Sequence, residues 1–405
     1  MATSTLRSQN KSIKLGVIAN EFFELSIGRM GGFGWATRQV AKCFNTDPDL
    51  GIDVVFLSGD LRTSSDQPET LIHGSRLIAR QRNQFEYARR IWSEGIDLLL
   101  AIDYRTNYRP LFRLLPRTPI IVWVRDPRPP EDIAKINTTR IPGQENIRPK
   151  GIDPIDCTSL AQVVKTSKWL RRSVQFATPA PFLADKVLGT YGVQPSEVSF
   201  LPNIIDLEPG EVIKSEKPTV AFLARLDPYK RPWLFVELAR HFPDVEFIFL
   251  GQAHHRGEGA WEPDSLPDNV KLMGHVGEEK KIHLLSSAWV LVNTSIHEGL
   301  AVSFQEALKC ETPILSCVNP ESVVSRFGIY VGRWDGTGLE GMPKFVEGLT
   351  RLLKDKDLRT RLGKEGCEWV TENHNKSRFL TTFNNLCTNA GVLRRPCLKN
   401  SLKEL

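Results

Sequence analysis

The chain has 405 residues, with 53 Lys and Arg against 47 Asp and Glu, which gives a net charge of +6. The length predicts two or three domains with real hydrophobic cores, and so mild a charge argues against a nucleic-acid-binding protein. Seven cysteines without a Cys-x-x-Cys pair are typical of reduced thiols in a cytosolic protein. No apolar run approaches the ~20 residues of a transmembrane helix, and residues 1–14 lack the apolar core of a signal peptide. We therefore expect a cytoplasmic protein, with peripheral membrane contact left open.

The first half of the chain alternates short apolar runs with helical spacing, which predicts a parallel, doubly wound sheet. Gly31 and Gly32 lie between a predicted strand at 13–19 and a predicted helix at 35–44. Thr37 stands where a Gly-x-Gly-x-x-Gly fingerprint needs its third glycine, which disfavours a dinucleotide site. The two glycines either contact a phosphate or only serve turn geometry.

Residues 75–95 have the spacing of a basic helix. Ile78, Phe85 and Trp92 would form its core-facing stripe, and arginines would crowd the other side. A solvated charged face is the usual outcome for such a helix. Contact of this face with a membrane surface is the alternative.

A segment of about thirty residues rich in proline and charge follows the predicted strand at 119–124 and extends to Cys157. Loops of this length are uncommon in compact domains unless they are functional or disordered. Arg125 and Asp126 open the segment at the carboxyl end of a strand, where ligands bind in α/β sheets. The pair either contacts a ligand or forms a structural ion pair.

The second half of the chain restarts the alternation of strands and helices from residue 220. Arg225 and Lys230 flank the turn after its first predicted strand. Glu298 follows the predicted strand at 289–292, and Glu306 is expected in the first turn of the next helix. Glu306 could instead only complete a capping box with Ser303.

Two acids around a helix N-terminus suit a ligand with sugar hydroxyls on either side of a phosphate. Two preorganised cations suit a departing diphosphate. The Asp-x-Asp triplet at 355–357 is interpreted as solvated surface.

The segment Ser295-Ile296-His297-Glu298-Gly299-Leu300-Ala301-Val302-Ser303-Phe304-Gln305-Glu306 resembles the Glu-x7-Glu motif of retaining glycosyltransferases of the GT-B fold, family 4. The spacing of Arg225 and Lys230 resembles the Arg-x4-Lys pattern of the same family. The likeness is specific from about residue 220 to 317 and loose before it. Arg125-Asp126 stand where the family often has a His that contacts the sugar, which puts the sugar's identity in doubt.

The resemblance implies the GT-B fold, with two Rossmann-like doubly wound domains facing a central cleft. Residues 1–206 would be the acceptor-side domain and residues 207–375 the donor-side domain. Residues 376–405 would be a helix crossing back to the first domain, followed by a tail.

The resemblance also implies an activity, namely transfer of a hexosyl-type sugar from a nucleotide-sugar donor to an acceptor hydroxyl with retention of configuration and without a metal or other cofactor. The catalytic residues would be Arg225, Lys230 and Glu298. The donor would be held by Gly31, Gly32, Gly251, His275, Val276, Gly299, Leu300, Ala301 and Glu306. Arg125 and Asp126 would contact the sugar or the acceptor. The acceptor, whether glycan, lipid or small molecule, stays open. A sugar-nucleotide epimerase of the same fold and a non-catalytic sugar-nucleotide-binding protein are the alternatives.

Overall fold

The computed structural model describes residues 12–22, 31–59, 69–81, 83–151, 158–263 and 265–392. The strands of the described residues are β1 (Ile13–Ala19), β2 (Ile52–Ser58), β3 (Glu69–Ile72), β4 (Ser75–Ile78), β5 (Leu98–Ile102), β6 (Ile120–Trp123), β7 (Val174–Thr178), β8 (Val198–Phe200), β9 (Thr219–Leu223), β10 (Glu246–Leu250), β11 (Val270–Leu272), β12 (Val290–Asn293), β13 (Ile314–Ser316) and β14 (Gly328–Tyr330).

Helices connect most of these strands, as the alternating pattern predicted. They are α1 (Gly32–Asn45), α2 (Gln84–Ser93), α3 (Arg109–Leu114), α4 (Pro130–Ile136), α5 (Thr158–Trp169), α6 (Leu183–Tyr191), α7 (Pro232–Arg240), α8 (Glu278–Ser287), α9 (Val302–Lys309), α10 (Val323–Phe327), α11 (Met342–Lys354), α12 (Lys356–Asn373) and α13 (Lys376–Asn389).

The first sheet has the order β3-β4-β2-β1-β5-β6-β7-β8. Strands β1, β2, β4, β5, β6 and β7 pair in parallel, and β3 pairs antiparallel with β4. β5 and β6 are buried along their whole length, as expected for strands covered on both faces. The predicted α/β class is confirmed, with an antiparallel pair at one edge that the sequence pattern did not predict.

The predicted helix over residues 75–95 is wrong. Residues 75–78 form β4, and α2 begins only at Gln84. A turn at Gly74, with φ of +79°, directs the chain into the strand. The side chain of Asn83 then accepts hydrogen bonds from two first-turn N–H groups and so caps α2.

The predicted core-facing stripe on this helix is also wrong. Phe85 is 77% exposed and Trp92 is 58% exposed, whereas Tyr87, Ala88 and Ile91 form the buried face of α2. Ile78, the first member of the expected stripe, lies in β4, and α2 is buried through the face that carries Tyr87 and Ile91. The aromatic residues expected in the core therefore lie on the surface.

The second sheet has the order β11-β10-β9-β12-β13-β14, and all its described pairings are parallel. Its core includes Phe222, Phe235, Phe247 and Phe249, with ring centroids 4.6 to 5.3 Å apart in the contacting pairs. From β9 the chain proceeds outward to β11, and from β12 it proceeds outward in the other direction. The strand order therefore reverses between β9 and β12, which is where α/β sheets bind ligands.

The chain divides into two compact units. The first comprises Met1–Val124, Thr158–Ala177 and Thr381–Leu405, and the second comprises Arg125–Cys157 and Thr178–Leu380. The boundary expected after residue 206 stays a prediction. The segment expected as a long loop belongs to the second unit, where it contains α4; its residues 152–157 lie outside the described part. Among the described helices none is both long enough and apolar enough to span a bilayer.

Candidate active site

The loops after β9 and β12 meet at the reversal of strand order in the second sheet. β9 and β12 pair through Val220 and Val290. Beyond them, the N–H of Ile296 donates to the carbonyl of Tyr229 at 3.0 Å. The chain thus brings residues 225–231 and 294–301 together, although about seventy positions separate them.

A buried ion pair joins the two loops. The ammonium of Lys230 lies 2.6 Å from Oε1 of Glu298, and the two side chains are 13% and 10% exposed. Ser295 Oγ donates to the same oxygen at 2.6 Å, and Asn293 Nδ2 donates to it at 3.1 Å. Three donors on one carboxylate oxygen fix the orientation of Glu298 before any ligand arrives.

Both members of the pair are held in their charged forms. Burial by itself raises the pKa of Glu298, but the charge of Lys230 and the three hydrogen bonds outweigh burial and lower it. Burial likewise lowers the pKa of Lys230, but the Glu298 carboxylate, with help from Tyr229, raises it above the ordinary value. The loops therefore present a fixed cation beside a fixed anion at neutral pH.

Arg225 adds a second cation to the same loop. Its Nε lies 3.1 Å from Oδ2 of Asp227, and its Nη2 donates to the Tyr229 hydroxyl at 2.6 Å. The ammonium of Lys230 lies 4.8 Å from the centroid of the Tyr229 ring, within the range of a cation–π contact. Tyr229 is thus a common neighbour of both predicted catalytic cations.

The buried side chain of Arg231 connects these loops through hydrogen bonds. Arg231 is 1% exposed and adopts φ of +50°. Its guanidinium donates to the carbonyls of Thr294 at 2.8 Å and Trp334 at 2.6 Å, and it contacts the sulfur of Cys317 at 3.1 Å. A buried guanidinium with several acceptors ties together loops that follow β9, β12, β13 and β14.

Glu306 lies deeper than the sequence predicted. α9 begins at Val302 with Ala301 as its N-cap and without a side-chain cap, so Glu306 is the fifth residue of the helix. The capping box with Ser303 is therefore wrong, and so is the placement of Glu306 in the first turn. Glu306 is 4% exposed and pairs with the ammonium of Lys281 on α8.

The N-terminus of α9 meets the description of an anion site. Its first turn contains no acidic residue, whereas α8 begins with two glutamates. The first N–H groups of a helix lack intrahelical partners and carry partial positive charge. Gly299, Leu300 and Ala301, predicted to bind phosphate, are buried and lead into this turn.

His275 and Val276 follow β11, and His275 is exposed whereas Val276 is buried. Partial burial, followed by the charge of Lys281, lowers the pKa of His275. A neutral imidazole next to the Lys281–Glu306 pair is compatible with the predicted contact to a nucleotide. That contact stays a prediction.

Asp126 reaches the Glu298 loop from the segment that follows β6. Its Oδ1 lies 2.9 Å from Nε2 of His297, and Arg128 donates to its Oδ2 at 2.6 and 2.9 Å. Burial raises the pKa of Asp126, but Arg128 and His297 together hold it well below the usual range. Asp126 thus pairs with Arg128 and His297, which is a different arrangement from the expected ion pair with Arg125.

The backbone of this segment also packs against the loop. A Cβ placed on Gly299 would lie 2.7 Å from the carbonyl oxygen of Arg125. Arg125 itself is 5% exposed and donates to Oδ1 of Asn203 at 2.8 Å, and Asn203 Nδ2 donates to Gln305 on α9 at 2.6 Å. Arg125 is therefore built into the frame of the site, and its contact with a sugar stays a prediction.

Glycine is required at position 251 for a structural reason. A Cβ at this position would lie 1.9 Å from the carbonyl oxygen of Ala224, and the Gly251 N–H donates to the carbonyl of Gly274 at 2.9 Å. Close approach of neighbouring strand ends therefore requires glycine here. The predicted contact between Gly251 and a donor is untested.

Gly31 and Gly32 lie in the first unit, at the N-terminus of α1. Gly31 is the N-cap, and Gly32 opens the helix. The Glu21 carboxylate accepts from the N–H of Gly34 at 3.3 Å, so an anion of the protein itself already lies at this helix end. The predicted phosphate contact of these glycines is untested.

The Asp-x-Asp triplet at 355–357 caps a helix. Asp355 is the N-cap of α12 and accepts from the N–H of Leu358 at 2.8 Å. Within the described ranges, no group of three His, Cys, Asp or Glu side chains could hold a metal ion. Metal independence of the reaction is untested.

Sequence reasoning missed several residues that shape the site, namely Tyr229, Arg231, Lys281, Asn293 and His297. Lys281 carried a usable signal, because it occupies a buried position of α8 four residues before buried Leu285. His297 and Asp126 are 171 residues apart in the chain, so no local pattern could pair them.

The second sheet and its loops lie within a stretch that matches a known protein family. Residues 204–369 match the family described as Glycosyl transferases group 1. This stretch of the chain is similar to group 1 glycosyltransferases. The match confirms the predicted family and the predicted transferase class for this part of the chain. Membership in family 4 and retention of configuration stay predictions.

Two curated relatives align with part of the chain. One subunit of the phosphatidylinositol N-acetylglucosaminyltransferase of Arabidopsis thaliana is 30% identical over 129 residues, which cover 29% of each protein. D-inositol 3-phosphate glycosyltransferase of Mycobacteroides abscessus is 24% identical over 153 residues, which cover 33% of this chain and 34% of the relative. The chain thus aligns with about a third of the length of these glycosyltransferases.

Solved structures resemble nearly the whole chain. A sucrose-phosphate synthase from Thermosynechococcus elongatus superposes with a TM-score of 0.70 at 15% identity, covering 94% of this chain and 99% of that one. Anabaena HepE in complex with UDP and glucose superposes with a TM-score of 0.65 at 12% identity, covering 93% and 100%. At such identities the likeness shows the fold, and the predicted GT-B fold is confirmed.

Proposed function

We propose that the chain is a glycosyltransferase that moves a hexosyl-type sugar from a nucleoside diphosphate to an acceptor hydroxyl, with retention of configuration and without a metal ion. One observation carries this proposal. A buried, prealigned Lys230–Glu298 pair lies beside Arg225, and on the same loop an uncapped helix N-terminus follows Glu298. These are the groups that a sugar diphosphate requires.

The reaction breaks the bond between the anomeric carbon and a diphosphate oxygen, and it forms a bond to the acceptor oxygen on the same face. The diphosphate leaves with the bonding electron pair. The acceptor's proton passes to the oxygen of the departing phosphate, so the reaction needs no carboxylate nucleophile. What the protein must supply is orientation and stabilisation of the growing negative charge.

Each residue then has a defined task. Arg225 and Lys230 neutralise the departing diphosphate, and the first N–H groups of α9 donate to it. Because the donors from Lys230, Ser295 and Asn293 converge on Oε1 of Glu298, we assign its Oε2 to the donor sugar's hydroxyls. Glu306, fixed by Lys281, accepts from the ribose.

The comparisons support this choice of donor without naming the sugar. The Anabaena structure with a similar fold contains UDP and glucose, and the names of both curated relatives describe glycosyl transfer to an inositol-containing acceptor. For this chain we propose only the chemical class of the donor, which is a nucleotide sugar. The acceptor is a hydroxyl compound to be identified by screening.

The test begins with a panel of nucleotide sugars, because a ligand that binds the folded state raises its melting temperature. The stabilising donor is then incubated with an acceptor library, and NMR of the product reports the anomeric configuration. Chelation by EDTA should leave the rate unchanged. Loss of activity on chelation, with recovery on adding a divalent ion, would contradict the metal-free assignment.

Substitutions at the ion pair complete the test. Glu298→Gln keeps the shape of the side chain but removes its charge, and we expect the rate of transfer to fall by at least about 10²-fold. Arg225→Gln removes a more exposed cation and should lower the rate by a similar factor. Lys364→Gln, on the exposed side of α12, is the control. Near-normal turnover of folded Glu298→Gln would exclude the assigned role.

A further inference from the structure

The first unit has a surface of cations and aromatic side chains at the edge where its central strands begin. We call it the amino-edge surface and define it by six exposed residues, Arg89, Trp92, Arg113, Arg117, Lys168 and Trp169. None of them belongs to the proposed active site. We propose that the amino-edge surface docks the protein on a membrane by binding anionic lipid headgroups.

The topology of the first sheet places these residues along one edge. α2 leads into β5, α3 leads into β6, and α5 leads into β7. The three strands are parallel neighbours, so the carboxyl-terminal ends of the three helices lie at the edge where the strands start. That edge is opposite the carboxyl ends of these strands, where α/β sheets bind small ligands.

Hydrogen bonds join the three helix ends into one surface. The indole N–H of Trp92 donates to the carbonyl of Leu114, the last residue of α3, at 2.7 Å. Buried Arg172, three residues after Trp169, donates to the carbonyls of Phe112 at 2.7 Å and Leu115 at 3.1 Å. The end of α3 is thus fixed between α2 and the turn that follows α5.

The parts of this surface that come from α3, α5 and the turns after them carry charge of one sign. Residues 109–118 and 158–173 contain seven Lys and Arg and no Asp or Glu. Next to these segments, Glu94 pairs with Arg76 and Asp97 accepts from the backbone N–H of Lys14, and Glu86, one turn before Arg89 on α2, is half-buried. The exposed cations of the amino-edge surface are therefore available to an anionic partner, and each contributes attraction to an acidic lipid surface.

The aromatic residues distinguish a membrane from other anionic partners. Trp169 is 82% exposed and Trp92 is 58% exposed. Phe85 and Arg89 precede Trp92 by two turns and one turn on the same face of α2, and Phe85 is 77% exposed. Indole rings among cations are the composition of a surface that lies in the headgroup layer. The core of a protein interface is instead depleted of charge.

The test is sedimentation of the full chain with vesicles, without donor or acceptor, so its result does not depend on the proposed activity. Vesicles of phosphatidylcholine with phosphatidylserine should carry the protein into the pellet, and vesicles of phosphatidylcholine alone should not. Raising the salt concentration should release it, because exposed charges are screened within about 10 Å at 0.1 M.

Variants locate the contact. Trp169→Ser should weaken binding by at least about tenfold, and so should the combination Arg113→Gln, Arg117→Gln and Lys168→Gln. The matched controls lie in the second unit, where Ile213→Ser removes another exposed apolar side chain and Lys364→Gln removes another exposed charge. Both controls should bind like the unchanged protein.

Three outcomes would overturn the proposal. The protein could fail to sediment with anionic vesicles, it could sediment equally with neutral ones, or the Trp169→Ser variant could bind as well as the Ile213→Ser control. Retention of a single-stranded RNA oligonucleotide by this surface, without vesicle binding, would assign the cations to a different class of partner.

Discussion

The loops beyond β9 and β12 and the helix ends before β5, β6 and β7 both carry concentrated charge, but in opposite ways. Lys230 and Glu298 are nearly buried and neutralise each other at 2.6 Å. Lys168 and Trp169 are exposed. Burying a charge is costly unless a partner is fixed beside it, so the buried ion pair requires one fixed arrangement of its two side chains. The exposed cations can instead bind a partner outside the chain. Substitutions at the ion pair should therefore affect folding, whereas substitutions at the exposed surface should affect only binding.

The largest effect on stability is expected at the ion pair. Lys230→Met leaves Glu298 buried without its counter-charge and should lower the free energy of unfolding by about 3–5 kcal/mol. The double variant with Glu298→Gln should lose less than the sum of the two single changes. Urea denaturation measures all three against Lys364→Met, which should stay within about 0.5 kcal/mol of the unchanged protein. Additive losses would show that the pair is not coupled.

A smaller effect, dependent on pH, is expected at Asp126. Arg128 and His297 hold its pKa well below the usual range against burial. Its pKa is therefore lower in the folded than in the unfolded chain, where it is about 3.9. The resulting stability is present above about pH 4 and is lost as the pH falls through the folded pKa.

Asp126→Asn removes this contribution. The variant should be less stable by about 1–3 kcal/mol at pH 7, and its free energy of unfolding should fall less steeply below pH 4 than that of the unchanged protein. Urea denaturation at a series of pH values measures both differences. Parallel pH profiles for the two proteins would contradict the assigned pairing.

The smallest effect on stability is expected at the exposed surface. Trp169→Ser should change the free energy of unfolding by less than about 0.5 kcal/mol, because a side chain that is 82% exposed buries little area. Trp123→Ala is the buried counterpart in the same unit, at 1% exposure, and should cost about 3–5 kcal/mol. A large loss of stability in Trp169→Ser would mean that this residue serves the fold rather than a partner.

Local patterns predicted the elements that position the site. Apolar runs followed by turn residues predicted β9, β12 and the helices after them, and the loops with Arg225, Lys230 and Glu298 lie where these patterns put them. The same reasoning failed at residues 75–78, because the register of β4 is set by pairing with β2, some twenty residues earlier. Whether such a segment forms a strand depends on these nonlocal contacts.

Partners of the site residues were harder to predict than their positions. Glu298 and Glu306 carried a recognisable spacing, but their partners Lys230 and Lys281 come from other elements, 68 and 25 positions away. α4, in contrast, carried signals that were overlooked, with Pro130 at its first position and Glu131 and Asp132 in its first turn. Local rules define an element's ends, whereas tertiary folding decides what its side chains meet.

The segment after β6 has a consequence for attempts to cut the protein into fragments. The polypeptide passes between the two units at 124/125, 157/158, 177/178 and 380/381, and Asp126, the partner of His297, comes from the first of these excursions. A fragment limited to residues 204–369 would keep the matched family sequence and lose this carboxylate. A fragment cut at the boundary that sequence similarity suggests would therefore lack the contact between Asp126 and His297 in the Glu298 loop.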